Sequence, residues 1–156
     1  MKIKVFLVGK TTESYIQNGL LIYLSRLKRY TKIEWNEIPI PKMHGKLPYE
    51  LQKKKEADIL KIKLKGEQKI ILLDEIGEGF SSKEFANFLE QKSSDSVKKI
   101  CFVIGGSFGF SDKIKAFADK KISLSFMTFP HQLVRLIFAE QLYRAFTINN
   151  NEKYHH

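Results

Sequence analysis

Apolar and polar positions alternate between two periods along this chain, and the switches mark out its elements. Lys2 to Val8 is a short aliphatic run that stops at Gly9 and reads as a strand. From Glu13 to Tyr30 the apolar residues fall at Ile16, Leu20, Leu24 and Leu27, the spacing of one face of a helix. Ile33 to Ile40 alternates as a second strand. Pro41 to Pro48, with two prolines, a glycine and three basic residues, reads as an exposed loop. Tyr49 to Leu64 is a lysine-rich helix, and Lys69 to Leu73 a third strand followed by a turn through Gly77 and Gly79. A helix from about Ser82 to Gln91 is capped by Ser81 or Ser82. After the polar stretch Lys92 to Ser96 comes the most apolar run, Ile100 to Ile104, the pattern of a central strand buried on both faces. A glycine-rich turn, a short helix from Ser111 to Asp119, a strand near Ile122 to Phe126 and a long helix from Pro130 complete the chain. Strands alternating with helices predict an α/β sandwich with a largely parallel sheet. No internal repeat or composition break divides it, so residues 1–156 are expected to form a single domain.

Composition narrows the partners. With 27 Lys+Arg against 17 Asp+Glu the net charge is +10, which favours a polyanion and nucleic acid first. Only Arg26, Arg29, Arg135 and Arg144 are arginines, so most of the charge is flexible ammonium suited to sequence-blind phosphate attraction. The opening Met1-Lys2-Ile3-Lys4 runs directly into a strand without a secretory leader pattern, and the apolar runs fall short of a membrane span. Cys101 lies inside the central apolar run, the setting of a buried core thiol rather than a metal ligand. A cytoplasmic protein without membrane or metal dependence is the expectation.

The candidate chemistry lies late in the chain. The first strand ends Gly9-Lys10-Thr11-Thr12, which is no dinucleotide loop. Three later segments follow strands: Asp74 to Phe80, Gly105 to Phe110, and Phe126 to Pro130. In a parallel sheet such segments converge at one edge, where open α/β folds bind ligands. The turn Gly105-Gly106-Ser107-Phe108-Gly109 lets backbone N–H groups approach a ligand closely, although it matches neither nucleotide-binding glycine pattern. Asp74 reads either as a ligand contact or as a cap of its own turn. His131, Arg135, Glu140 and Arg144 ride on one helix. Glu140 and Arg144 form either a surface i,i+4 pair or part of a charged RNA-facing site, and His131 is a base, an RNA contact or a cap. A silent RNA-binding module and a nucleotide hydrolase are the alternative classes, the second opposed by the lack of a Walker lysine or metal cluster.

Leu72-Leu73-Asp74-Glu75-Ile76-Gly77, Ile104-Gly105-Gly106-Ser107-Phe108-Gly109 and the block LSFMTFPHQLVRLIFAEQLYRAFTI from Leu124 to Ile148 together resemble the RlmH family of SPOUT-class ribosomal RNA methyltransferases. The likeness runs from KIKVFLVGK at the start, through YLSRLKRY and EIP, to Tyr154-His155. Departures are Ser107 and Phe108, where some relatives carry proline and glutamate, and the terminal His156, where relatives often carry a basic residue. The resemblance implies a SPOUT-type trefoil-knotted α/β fold, a homodimer, and S-adenosylmethionine-dependent methylation of N3 of a pseudouridine in large-subunit rRNA on the ribosome. It implies cofactor contacts at Leu73, Gly105, Leu124, Ser125, Phe126, Met127, Thr128 and Phe129. Chemistry is expected at His131, Arg144, Tyr154 and His155, with His131 or His155 accepting the N3 proton and Arg144 stabilising charge. The tail from Asn149 is polar enough to fray, yet Tyr154 and His155 are active-site residue types, and the tail of one subunit is expected to complete the pocket of the other.

Overall fold

Side chains leaving the strands on opposite sides build two apolar cores. In β1 (Lys2–Val8), Ile3, Val5 and Leu7 join one cluster while Phe6 and Val8 join another, and in β4 (Lys99–Ile104) the same split separates Ile100, Phe102 and Ile104 from Cys101 and Val103. Helices α1 (Ser14–Leu27), α3 (Ser82–Ser94) and α5 (His131–Asn149) cover the first face through Leu27, Phe85, Leu89, Phe138 and Leu142. Helices α2 (Tyr49–Leu64) and α4 (Asp112–Phe117) cover the second through Leu60, Leu64 and Ile114. A sheet covered on both faces explains why β4 reads as an unbroken apolar run. Burial also pushes the Cys101 thiol up to about 12, which makes it an inert part of that core.

The computed structural model describes residues 1–41 and 44–154; positions 42–43 of the expected Pro41–Pro48 loop, and His155 and His156, lie outside the described residues. With β2 (Lys32–Ile38), β3 (Ile70–Gly79) and β5 (Lys120–Ser123), the strands lie in the order β2-β1-β4-β3-β5, and every pairing is parallel. The three strands that precede the candidate segments therefore sit side by side at one edge of the sheet, with their C-terminal ends together.

Several sequence expectations shift. α1 stops at Leu27 rather than Tyr30, β2 at Ile38 rather than Ile40, and α4 spans only Asp112–Phe117. The turn through Gly77 and Gly79 is strand: β3 pairs with β5 at Leu73↔Ile122, breaks register, and pairs again at Glu78↔Ile122 and Gly79↔Ser123. Gly77 permits this bulge, since a Cβ there would stand 2.6 Å from the Ile122 backbone. β5 ends at Ser123 rather than Phe126, because Ser123 Oγ donates to Ser125 O (2.8 Å) and Ser125 Oγ accepts from Met127 N (2.9 Å), turning the chain into a loop. α3 runs on to Ser94. Its start is as expected: Ser81 Oγ accepts from Glu84 N and the Glu84 carboxylate accepts from Ser81 N (2.7 Å), a reciprocal cap.

Candidate active site

The edge where β3, β4 and β5 end is hollowed into a cleft of about 610 Å³. Leu73, Asp74 and Glu75 contribute from β3, Gly105 to Phe110 from the turn after β4, Ser123 from the end of β5, and Leu124, Ser125 and Met127 to Pro130 from the loop after it. Tyr49 and Lys53 of α2 and His131 and Val134 of α5 close its sides. All but one of the expected cofactor positions line it. Phe126 is the exception, 98% exposed with its ring beside Gly79. Asp74 lies at the register break of β3 and caps that turn of the chain: Oδ1 accepts from Ile76 N at 3.1 Å, and Oδ2 pairs with Lys115 at 3.2 Å.

His131 stands at the boundary between this cleft and a smaller cavity of about 260 Å³ that also reaches Lys10, Glu56, Gln132 and Arg135. Its Nδ1 lies 3.2 Å from Ser107 Oγ in the glycine turn. Partial burial, and then the nearby Arg135 charge, lower its pKa from the ordinary histidine value, so the ring is neutral around pH 7. Arg135 is the unexpected residue here. It is wholly buried, and its guanidinium donates to Val8 O (2.8 Å), Gly9 O (3.2 Å) and Thr11 Oγ1 (2.9 Å). Gln132 ties into the same loop, accepting from Thr12 N and donating to Lys10 O, each at 3.0 Å. Pro130 offers no side-chain cap, and these bonds to the loop after β1, together with the Ser107–His131 contact, hold the start of α5. An arginine set between Val134 and Leu136 in an apolar run was the visible sign of burial; its partners, more than 120 residues away, were not readable.

At the other end of α5, about 20 Å along the axis by helical rise, Arg144 and Tyr154 share a second cluster. Arg144 donates twice to Glu140 Oε1 (2.9 and 2.6 Å) and lies over the Tyr154 ring at 4.8 Å. The Tyr154 hydroxyl reaches Glu140 Oε1 at 3.2 Å and Tyr23 at 3.4 Å, and burial together with these neighbours pushes its pKa well up. The tail does not fray before this point. Glu152 accepts from Arg29 (2.6 Å) and from the Tyr30 hydroxyl (2.7 Å), anchoring it to the turn that follows α1. Within one chain, therefore, His131 meets the cleft and Arg144 and Tyr154 do not; His155 lies outside the described residues.

Residues 1–155 match the family described as "Predicted SPOUT methyltransferase". The chain belongs to the SPOUT methyltransferase family. Proteins named ribosomal RNA large subunit methyltransferase H, from Christiangramia forsetii and Flavobacterium johnsoniae, are 44% and 46% identical to this SPOUT methyltransferase, each match covering 100% of the chain and 99% of the relative. A crystal structure of a probable methyltransferase from Bordetella pertussis Tohama I shares the fold, with a TM-score of 0.58 at 11% identity over 93% of this chain and 94% of that one. Among the described residues no helix is long and apolar enough to cross a membrane, and no group of His, Cys, Asp and Glu is placed to hold a metal.

Proposed function

We propose that this methyltransferase moves a methyl group from S-adenosylmethionine to N3 of a pseudouridine in large-subunit rRNA, acting on the ribosome in the cytoplasm. One observation carries the reading: all but one of the cofactor positions implied by resemblance gather in one cleft at the C-terminal edge of a parallel sheet. The lining suits that cofactor. Leu73, Leu124, Phe129 and Val134 offer apolar surface for a purine, Gly105 a close backbone, and Asp74, Glu75, Lys53 and Lys115 charged partners for the amino-acid end. When bound, the cofactor supplies a methyl group already activated on a sulfonium.

The chain's own residues then have to orient the base and remove its imide proton. His131 is neutral around pH 7 and serves as the acceptor. With Nδ1–H donating to Ser107 Oγ, its Nε2 keeps a free lone pair. Arg144, held by Glu140, puts its guanidinium beside the imide oxygens, and Tyr154 stacks and hydrogen-bonds. The separation of about 20 Å between His131 and Arg144 on one helix means that a single chain does not bring both to one base. Hence we take the enzyme as a homodimer, each cleft completed by Arg144, Tyr154 and His155 of the other subunit. Exposed Leu21, Ile22 and Met127 supply apolar surface for such a pairing. Residues 1–156 act as one SPOUT domain in this reading, with the cofactor held at the knot of a trefoil. Titration calorimetry of the purified protein with S-adenosylmethionine is expected to give stoichiometric binding; no heat with it or with its demethylated product would overturn the reading.

A further inference from the structure

The four arginines divide by what neutralises them. Arg29 pairs with Glu152 and Arg144 with Glu140, while Arg135 is sealed inside against backbone carbonyls. Arg26 differs from all three. Its guanidinium carbon lies 5.8 Å from the Tyr23 ring centre and 5.5 Å from that of Tyr143, the residue is exposed, and among the described residues no carboxylate pairs with it. Those same rings hold the C-terminal tyrosine: Tyr143 packs edge-on to Tyr154 at 4.8 Å, and the Tyr23 and Tyr154 hydroxyls are 3.4 Å apart. Arg26 and Arg144 therefore share one tyrosine cluster, and only Arg144 has its charge offset by an acid.

A guanidinium held against two aromatic faces loses little side-chain freedom on binding, and its N–H edge stays available for a planar, charge-assisted contact. Phosphate oxygens match that edge; Tyr143 is buried, and the partly exposed Tyr23 and Tyr154 are the rings that suit an RNA strand whose bases are unstacked. A merely structural role has a visible candidate: Arg26 lies in the last turn of α1, where a cation favourably meets the helix dipole, a small effect that salt screens. We propose that Arg26 is a substrate-binding residue that grips a backbone phosphate of the RNA next to the nucleotide presented to Tyr154 and Arg144. This rests on the reading of the chain as an RNA methyltransferase.

The test compares Arg26→Ala, Arg26→Lys and the neighbouring surface control Lys28→Ala in the full chain. Each is assayed for methyl transfer to large ribosomal subunits lacking the modification, over a series of salt concentrations. Arg26→Ala is expected to raise KM for the subunit about 10-fold with kcat nearly unchanged, and to flatten the salt dependence by about one phosphate contact. Arg26→Lys restores the salt slope but only part of KM, and Lys28→Ala does neither. An unchanged KM and slope, or an equal effect from Lys28→Ala, overturns the assignment. So does a fall in melting temperature together with cofactor affinity. Equilibrium binding of the same variants to a fragment of large-subunit rRNA, with no cofactor present, reads Arg26 separately. Loss of cofactor binding by the unmodified chain sinks the methyltransferase reading, whereas equal RNA slopes for Arg26→Ala and the unmodified chain sink this one.

Discussion

At the scale of single residues, His131 carries the clearest electrostatic statement. Burial and the buried Arg135 charge one helical turn away both disfavour its protonated form, while Lys10, Glu56, Lys53, Lys115, Asp74 and Glu75 face the two cavities that it separates. A histidine whose folded pKa is depressed contributes stability above the unfolded value of about 6.5 that is lost as pH falls through the lower folded value. An NMR titration of the His131 ring is expected to give a midpoint below that value, with the acid limb of the rate following it. A midpoint at or above it would remove the electrostatic account. Substituting Gln for His131 should lower kcat by about 10²–10⁴ with cofactor affinity intact. Arg144→Ala should likewise cost turnover far more than cofactor binding in a calorimetric comparison; equal losses would assign Arg144 a structural role.

Helix α5 is the element that organises the site. Its first turn is tied to the loop after β1 by Gln132 and Arg135, and its last turns carry the cluster that receives Tyr154. Arg135→Met keeps the length of the side chain but strands buried carbonyls of Val8 and Gly9. It should cost about 2–4 kcal/mol in urea unfolding, with the His131 midpoint moving upward in whatever remains folded. At the sheet edge, Gly77→Ala puts a methyl group 2.6 Å from the Ile122 backbone, so the bulge has to shift. Cofactor affinity should fall along with about 1–3 kcal/mol of stability, read by calorimetry and thermal melting. Helices and buried strands were legible because the periods of 3.6 and 2 are local; β1, α2 and the capped start of α3 stand where the pattern puts them. The bulge of β3 and the early end of β5 were not, because strand register is set by a partner some 45 residues away that no local pattern names. The same limit hid the bonds of Arg135 and the anchoring of the tail by Glu152. The cofactor positions came through resemblance, and the glycine turn alone marked only where a ligand fits.

For the molecule as a whole, the proposed mechanism joins the cleft at one end of α5 to the Arg144 and Tyr154 cluster at the other end of a second subunit's α5. Removing Tyr154 to His156 should abolish methylation, and because Tyr154 packs on Tyr143 and Tyr23 it should also lower the melting temperature modestly. Mixing that truncated chain with a variant defective in the cofactor cleft should restore partial activity through heterodimers; full activity of the truncated homodimer would reject the shared site. The central claim is tested most directly by mass spectrometry of large-subunit rRNA from cells with and without the gene for this chain. The account predicts that one pseudouridine loses one methyl group, at N3, when the gene is absent, and regains it when purified subunits are incubated with the protein and S-adenosylmethionine. An identical set of modified nucleotides in both samples would contradict it.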